Sequence, residues 1–596
     1  MFRSHTCNDL QKEHIGQSVT LSGWVHRRRD HGELIFVDLR DRYGLTQLHF
    51  DPSVAKEAHE KAGKLRSEWV VKITGNVRQR PEGQENKSMN TGGIEIDVQE
   101  IEVLNTSKTP PFEIDQDKKV GEDIRLQYRY LDLRKERMRE NIIFRSKLTK
   151  FVRDFYDEKD FLDIETPILI KGTPEGSREY LVPSRIYPGE FFVLPQSPQQ
   201  LKQLSMVAGF DKYFQIAKCF RDEDLRGDRQ PEFTQIDVEM SFITQEEIMN
   251  LHEELFINIT KKFASDKQLK FSPFKRITWQ ESMEKYGSDK PDLRFDLEIT
   301  DVTDIVENCG FKVFSSIAQS KEGTVRALKI PGGDEKLTRK DIDDLTKLAQ
   351  EHGAKGLAYV QIRDGGAVGP VAKFLNEAEL AAVLERVDAK SGDIVFFGAD
   401  KFIKALEPLG QVRLKCADML ELRDPKVFAF AWVTDFPAFE QSDDGCITAV
   451  HHPFTRMNEE DLEKYGNTDD MHDRTKIRSY AYDLALNGVE LGGGSIRIHE
   501  RELQERVFTL MNISEKESEM KFGHLLKAFE YGAPPHGGIA FGLDRILMLL
   551  REEPNIREVM AFPKDSKAKD IMLGAPSAMP ETQLEELGIT INAQED

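Results

Sequence analysis

Residues 220–237 read FRDEDLRGDRQPEFTQID, and the rest of the chain is organised around this stretch. The run before it, 213–220, alternates as a half-buried strand does, with Phe214, Ile216 and Phe220 on one face and Gln215, Ala217, Cys219 and Arg221 on the other. In the run after it Phe233, Gln235, Asp237 and Glu239 share one face, while Thr234, Ile236, Val238 and Met240 share the opposite, apolar one. Two strands joined by a charged loop make a hairpin. Its polar face collects Arg221, Glu223, Gln235 and Asp237, a set suited to a ligand carrying phosphate, amine and carboxylate groups together. Taken alone, such a charge run fits a solvated hairpin tip equally well.

Outward from the hairpin, 596 residues exceed what one core organises and predict about three or four domains. The 83 basic and 104 acidic residues give a net charge of −21, which argues against a non-specific nucleic-acid coat but leaves room for a local basic patch. Cys7, Cys219, Cys309, Cys416 and Cys446 are scattered, odd in number and without a CxxC pair. Neither a disulfide framework nor a zinc site is expected, and a reducing cytoplasm is. The sequence has no signal-peptide pattern and no apolar run near the ~18 residues of a membrane span, so no membrane partner is expected.

Towards the N-terminus, strands are read at 19–27, 33–39, 45–50, 69–77 and 94–103, with one helix at 53–65. That pattern predicts a small Greek-key barrel of the OB type, a fold that binds single-stranded nucleic acid with aromatic platforms and arginines. Arg27, Arg28 and Arg29, with Phe36 and Gln47 on neighbouring strands, supply both; an ordinary barrel with a basic turn is the plainer reading. Residues 109–127 read as a Pro-bearing linker and 133–159 as a long amphipathic helix. Residues 161–170 read as a strand that Pro167 confines to a sheet edge or a subunit contact. The loop 171–185 reads as mobile, and beyond it Gln199 and Lys202 lie three apart on one helical face.

From 296 to 422 the alternation of helical and strand patterns marks a separate inserted domain. His451 and His452 lack a cysteine or third histidine, so no metal site is read there. Asp483 and Glu490 flank the Asn487-Gly488 turn signal, so two antiparallel strands bring the carboxylates together, as a hard cation such as Mg²⁺ on substrate phosphates requires. Gly492, Gly493 and Gly494 permit a close backbone approach to a ligand, or form a bulge in a sheet. Residues 521–530 read as an amphipathic helix. Arg545 falls in the first turn of a buried helix, adding to the positive end of its dipole and favouring a polyphosphate.

No Walker sequence occurs, and His14-Ile15-Gly16 lacks the next histidine and the KMSKS partner of class I synthetases. An antiparallel ATP site fits better. The 220–237 hairpin resembles the second signature motif of class II aminoacyl-tRNA synthetases, GIAFGLDR (538–545) the third, and the strand ending at Pro167 the first. With TPEGS, QSPQ, HHPFT and ELGGGSIR, these make the chain similar, over nearly all its length, to bacterial-type aspartyl-tRNA synthetases; Gly398-Ala399-Asp400 resembles their GAD insertion.

The resemblance implies an α+β multidomain chain: an OB-fold anticodon-binding barrel at 1–108, a hinge at 109–132, a class II antiparallel-sheet catalytic domain at 133–295 and 423–566, an inserted α/β GAD domain at 296–422 and a C-terminal extension at 567–596. It implies attack of L-aspartate on ATP, then transfer of the aspartyl group to tRNA. Arg221 would hold the α-phosphate, Arg545 the γ-phosphate, and Asp483 and Glu490 the Mg²⁺. Asp222, Glu223, Gln230, Phe233, Gly542, Leu543 and Asp544 complete the ATP set. Lys202 and Arg497 would clamp the aspartate side chain with Asp237 orienting both, Glu175 and Gln199 would take its ammonium, and His451 and His452 would close the pocket. In the barrel, Phe36 would stack on an anticodon base, Gln47 and Glu95 would read base edges and Arg29 would meet the backbone. His31 and Gly83 resemble enzymes of relaxed specificity, which implies charging of tRNA-Asn as well as tRNA-Asp for later amidation by an amidotransferase. A homodimer is also implied. A strictly discriminating enzyme and an inactive RNA-binding paralogue are the alternatives; an asparagine or lysine enzyme is disfavoured by its different pocket residues and missing insertion.

Overall fold

The computed structural model describes residues 1–592 apart from 115–119, 173–175, 442–446 and 469. It divides into two compact units, 1–144 with 560–577, and 145–559 with 578–596. In the first unit, strands β1 (Ser18–His31), β2 (Leu34–Arg40), β3 (Leu45–Phe50), β4 (Val70–Gln79) and β5 (Ile94–Asn105) close into a barrel in the order β1-β2-β3-β5-β4. Helix α1 (Lys56–Ala62) lies between β3 and β4 in sequence. Alternation decides the interior: Val19, Leu21 and Val25 of β1 meet Val71, Ile73 and Val77 of β4 inside the barrel. Closure leaves the barrel no open sheet edge.

Helix α2 (Glu136–Asp157) answers the pattern at 133–159, and its Leu148, Val152, Phe155 and Tyr156 are buried. The second unit is built on a sheet that includes β6 (Leu162–Asp163) at one edge. The strand expected over 161–170 is thus only two residues long and lies at a sheet edge, ending four residues before Pro167. Helix α3 (Gln199–Val207) precedes the hairpin of β7 (Lys212–Phe220) and β8 (Glu232–Ser241), which pair antiparallel with Asp237 opposite Gln215. Helix α4 (Gln245–Phe263) starts at a capping box between Thr244 and Glu247, and β9 (Lys275–Thr278) forms the other edge of the sheet.

Residues 299–419 contribute their own five-stranded antiparallel sheet: β10 (Ile299–Asp301), β11 (Gly323–Ile330), β12 (Ala358–Arg363), β13 (Gly366–Val368) and β14 (Ile394–Lys401), ordered β10-β11-β14-β12-β13. Helix α5 (Phe402–Met419) packs Leu406 and Leu409 against Ile394 and Phe396 of β14, while Val395 and Phe397 join a second core. Both faces of this sheet are therefore covered.

The chain then returns to the large sheet with β15 (Phe430–Thr434), β16 (Ala481–Leu486) and β17 (Val489–Ile496), passes through helix α6 (Glu515–Phe529), and ends the sheet with β18 (His536–Gly542) before helix α7 (Leu543–Leu550). The order is β9-β15-β16-β17-β18-β8-β7-β6. Between β16 and β17 the Asn487-Gly488 turn has φ of +54° and +89°, the left-handed pair that a two-residue hairpin needs. Past the turn Ala485 pairs with Glu490 but Leu484 with Gly492, so β17 carries one extra residue, Leu491. The side of β8 read as polar is not open to water: Gln235, Asp237 and Glu239 are each 9% exposed or less. Among the described residues no helix is long and apolar enough to cross a membrane.

Candidate active site

The loop between β7 and β8 folds over a cavity of about 200 Å³ lined by Arg221, Glu223, Gln230, Phe233, Glu490 and Arg545, among others. The Arg221 guanidinium lies 5.2 Å from the Phe233 ring centroid, and Arg229 pairs with Glu223 at 2.8 Å. Arg545, in the first turn of α7, donates to the Glu490 carbonyl at 3.0 Å and pairs with Asp228 at 3.2 Å. Asp228 had no role in the sequence reading; its place in the same charged loop was the available signal.

Three residues of the expected nucleotide set sit differently. Asp222 does not line the cavity; its backbone bridges to Arg178. Leu543 is 1% exposed and belongs to the core. Asp544 reaches the cavity wall, but its carboxylate accepts from the Thr234 N–H at 2.9 Å and from Arg145, so it fastens α7 to β8. Gly542 lines the cavity.

Deeper along β8 lies a dry cluster of charge. Lys202 of α3 pairs with Asp237 at 2.7 Å and Glu239 at 3.3 Å, and Arg497 pairs with Glu239 through Nε at 3.0 Å and Nη2 at 3.2 Å. Lys202 and Arg497 are each 1% exposed, Asp237 and Glu239 fully buried. Asp237 therefore does not orient both cations as expected. It holds Lys202, and Glu239 holds Arg497, because the period of two that puts 237 on this face puts 239 there too. Burial raises the Asp237 carboxyl despite Lys202; for Glu239 the pull of Arg497 and Lys202 outweighs burial and lowers it. Arg497 Nη1 also meets His452 Nε2 at 2.7 Å and Ser495 Oγ at 2.6 Å. Burial, then the charge of Arg497, pushes His452 well below its ordinary range, so it stays neutral and accepts. Of the five guanidinium N–H groups, four are engaged, leaving one for a ligand. Gln199 bonds Gln203 at 3.0 Å. Glu175 lies outside the described residues.

Asp483 and Glu490 share a face of the β16–β17 hairpin, two positions of β16 apart. Burial and then the charge of Asp483 raise the Glu490 carboxyl, a strain that a hard cation held by the pair would relieve. His451 Nε2 sits 3.2 Å from Asp483 Oδ1, and although burial opposes it, that carboxylate raises the histidine. No group of three or more metal-ligating side chains occurs among the described residues. The protein thus offers two carboxylates, which suits a cation completed by phosphate oxygens and water. Gly492 lines the cavity, and the glycines also serve the sheet: a Cβ at Gly492 or Gly494 would strike the adjoining backbone of β18, and one at Gly493 the Asp483 carboxylate.

In the barrel, Arg29 donates to Asp38 at 2.8 Å and Gln47 at 3.0 Å; Gln47 donates to Glu95 at 2.7 Å, and Arg78 grips Glu95 at 2.7 Å. Phe36 lies between His31, edge-on at 5.6 Å, and His49 at 5.3 Å. Gly83 has φ +79° and open space around it. Arg78 and His49 were missed for want of any motif; only the barrel register brings them here.

Residues 121–566 match the family model of class II tRNA synthetases (D, K and N), and 19–104 that of the OB-fold nucleic acid binding domain. An aspartate–tRNA(Asp/Asn) ligase of Rubrobacter xylanophilus is 52% identical over 592 residues, 99% of this chain and 97% of its own. An aspartate–tRNA ligase of Lysinibacillus sphaericus is 51% identical, over 99% of both chains. Among solved structures, asparaginyl-tRNA synthetase from Pyrococcus horikoshii complexed with asparaginyl-adenylate superposes with a TM-score of 0.58 at 18% identity, covering 94% of this chain and 98% of that one, a likeness of fold. With most of its length matched by one model and relatives half identical from end to end, the chain belongs to the class II tRNA synthetases, in the group that handles aspartate, lysine and asparagine.

Proposed function

We propose that this protein ligates L-aspartate to tRNA-Asp and also to tRNA-Asn, through an aspartyl-adenylate made from ATP. The observation that carries the amino-acid choice is the pairing of Lys202 and Arg497 with carboxylates of one strand, in a site without water-exposed charge. The spare Arg497 N–H and the Lys202 ammonium receive the side-chain carboxylate of aspartate. Asparagine matches its shape but carries no charge and would turn an NH₂ toward the Lys202 and Arg497 donors, and a site built for polar pairing rejects such an isostere strongly.

In the first step the α-carboxylate of aspartate, already ionised, attacks the α-phosphorus and pyrophosphate leaves. Arg221 is aimed at the charge that develops on the α-phosphate. Arg545 exchanges Asp228 for the γ-phosphate, while Glu223 and Gln230 take the adenosine side and Phe233 stacks on adenine. Asp483 and Glu490 would hold a Mg²⁺, which would supply charge neutralisation for the pyrophosphate that leaves. Gln199 and Glu175 hold the ammonium of the substrate, and His451 and His452 close the pocket. The aspartyl group then passes to the terminal ribose of tRNA.

In the barrel, Phe36 stacks on an anticodon base, Gln47 and Glu95 read base edges and Arg29 meets the backbone. His31 beside the Phe36 ring and the unobstructed Gly83 support a relaxed reading of the anticodon, with the Asp-tRNA-Asn passed to an amidotransferase. We assign the protein to the cytoplasm as a homodimer, with the GAD insertion at 296–422. Aspartate-dependent ATP–pyrophosphate exchange, absent with asparagine, tests the first step. Aspartylation of separately purified tRNA-Asp and tRNA-Asn tests the second, and charging of tRNA-Asp alone would return the narrower enzyme.

A further inference from the structure

Behind the cluster of paired charges, three polar side chains form a line with a direction. His536 Nδ1 is 2.7 Å from the Pro534 carbonyl oxygen, which can only accept, so Nδ1 carries a proton. The ring is fully buried. Burial holds its pKa down; Glu239 pulls it up, while Arg497 and His499 push it further down, and the net shift is downward. In that neutral tautomer Nε2 is an acceptor. Gln203 Nε2, 3.1 Å away, therefore donates to it. The Gln203 oxygen is left to accept from Gln199 Nε2, one helical turn back at 3.0 Å. Each bond fixes the sense of the next.

An amide side chain has nearly the same shape with its oxygen and nitrogen exchanged, so packing alone does not choose between them. A fixed proton at one end of the line does. With its NH₂ committed to Gln203, Gln199 keeps Oε1 for another partner, on the helical face it shares with Lys202, three residues on along α3.

We propose that His536 and Gln203 are positioning residues that set the polarity of Gln199, so that an oxygen and not an NH₂ meets the α-ammonium of the amino-acid substrate. The proposal rests on the reading above in which Gln199 receives that ammonium. It explains why a histidine and two glutamines, all buried, are strung behind a site whose charges are already balanced by Asp237 and Glu239. Turned over, Gln199 would place two donors against a cation.

The test compares L-aspartate with succinate, which keeps both carboxylates and lacks the ammonium, by calorimetric binding to the full-length protein. Gln203→Met removes both links and is expected to weaken aspartate at least about tenfold, the worth of a hydrogen bond to a charged group, while succinate binds as before. Equal weakening of the two ligands, or no change in either, would overturn the proposal. Gln203→Glu still offers an oxygen to Gln199 and is expected to keep the preference for aspartate; its loss there would also overturn it. Gln199→Met separates the two levels of the argument. If it spares the preference, the ammonium reading itself is wrong; if it abolishes the preference while Gln203→Met does not, only the relay is wrong.

Discussion

The pocket around Arg497 and the barrel face around Phe36 both set arginines against carboxylates, and they differ in water. In the pocket Lys202, Asp237, Glu239 and Arg497 are all nearly or wholly buried. On the barrel Arg29 and Arg78 keep about a third of their side chains exposed, with ion pairs to Asp38 and Glu95. A desolvated charge left without its partner costs several kcal/mol, whereas a wetted one is screened and readily exchanged. The first arrangement suits discrimination between nearly identical small molecules. The second suits a long polyanion whose contacts form and break in water.

Removing a charge from the dry cluster should give the largest effect. Arg497→Met leaves Glu239 buried with only Lys202, and is expected to lower aspartate-dependent pyrophosphate exchange by about 10²–10³-fold and narrow the gap between aspartate and asparagine. An unchanged ratio of the two amino acids would end the argument from desolvation. Arg221→Ala, at the edge of the nucleotide cavity, should reduce kcat by about 10²-fold or slightly more, with a smaller change in the KM for aspartate, since its partner charge appears during the reaction.

The dryness of the catalytic unit can also be read by acid. Burial holds His252, packed against Phe541, at about 4. Unfolding lets it return to its ordinary value near 6.5, so between those limits the unfolded chain binds the extra proton. The stability that neutral His252 contributes is therefore complete above about pH 6.5 and falls as pH drops towards 4, by up to about 3 kcal/mol. Thermal unfolding followed across that window should show the decline, and His252→Phe should make it shallower, with the rest left to His452, His499, His524 and His536, which burial also pushes down. The smallest effect belongs to the wet face: Phe36→Ala should raise the KM for tRNA about tenfold, the worth of one stacked base, and leave pyrophosphate exchange unaltered.

Much of this was legible because local chemistry left little choice. The Asn-Gly turn between β16 and β17 and the alternation of the barrel strands follow from period and φ alone. What escaped was set by pairing between distant segments. Glu239 stood on the right face but carried no motif, and its partner is 258 residues away. Asp544 read as a nucleotide contact because it lies within a signature, yet Thr234 and Arg145 claim it. Gly492 and Gly494 answer to β18, a neighbour no local pattern could name.

Leu491 bears on more than the strand it interrupts. Glu490 and Arg497 are separated by an odd number of positions, and in an unbroken strand they would point to opposite sides of the sheet. The unpaired residue corrects that parity and brings Glu490 and Arg497 to one side of the sheet, as the proposed reaction requires. Deleting it would make a regular strand yet leave Glu490 and Arg497 six positions apart and still on one side; drawing Leu491 into the ladder instead would part them by the thickness of a sheet.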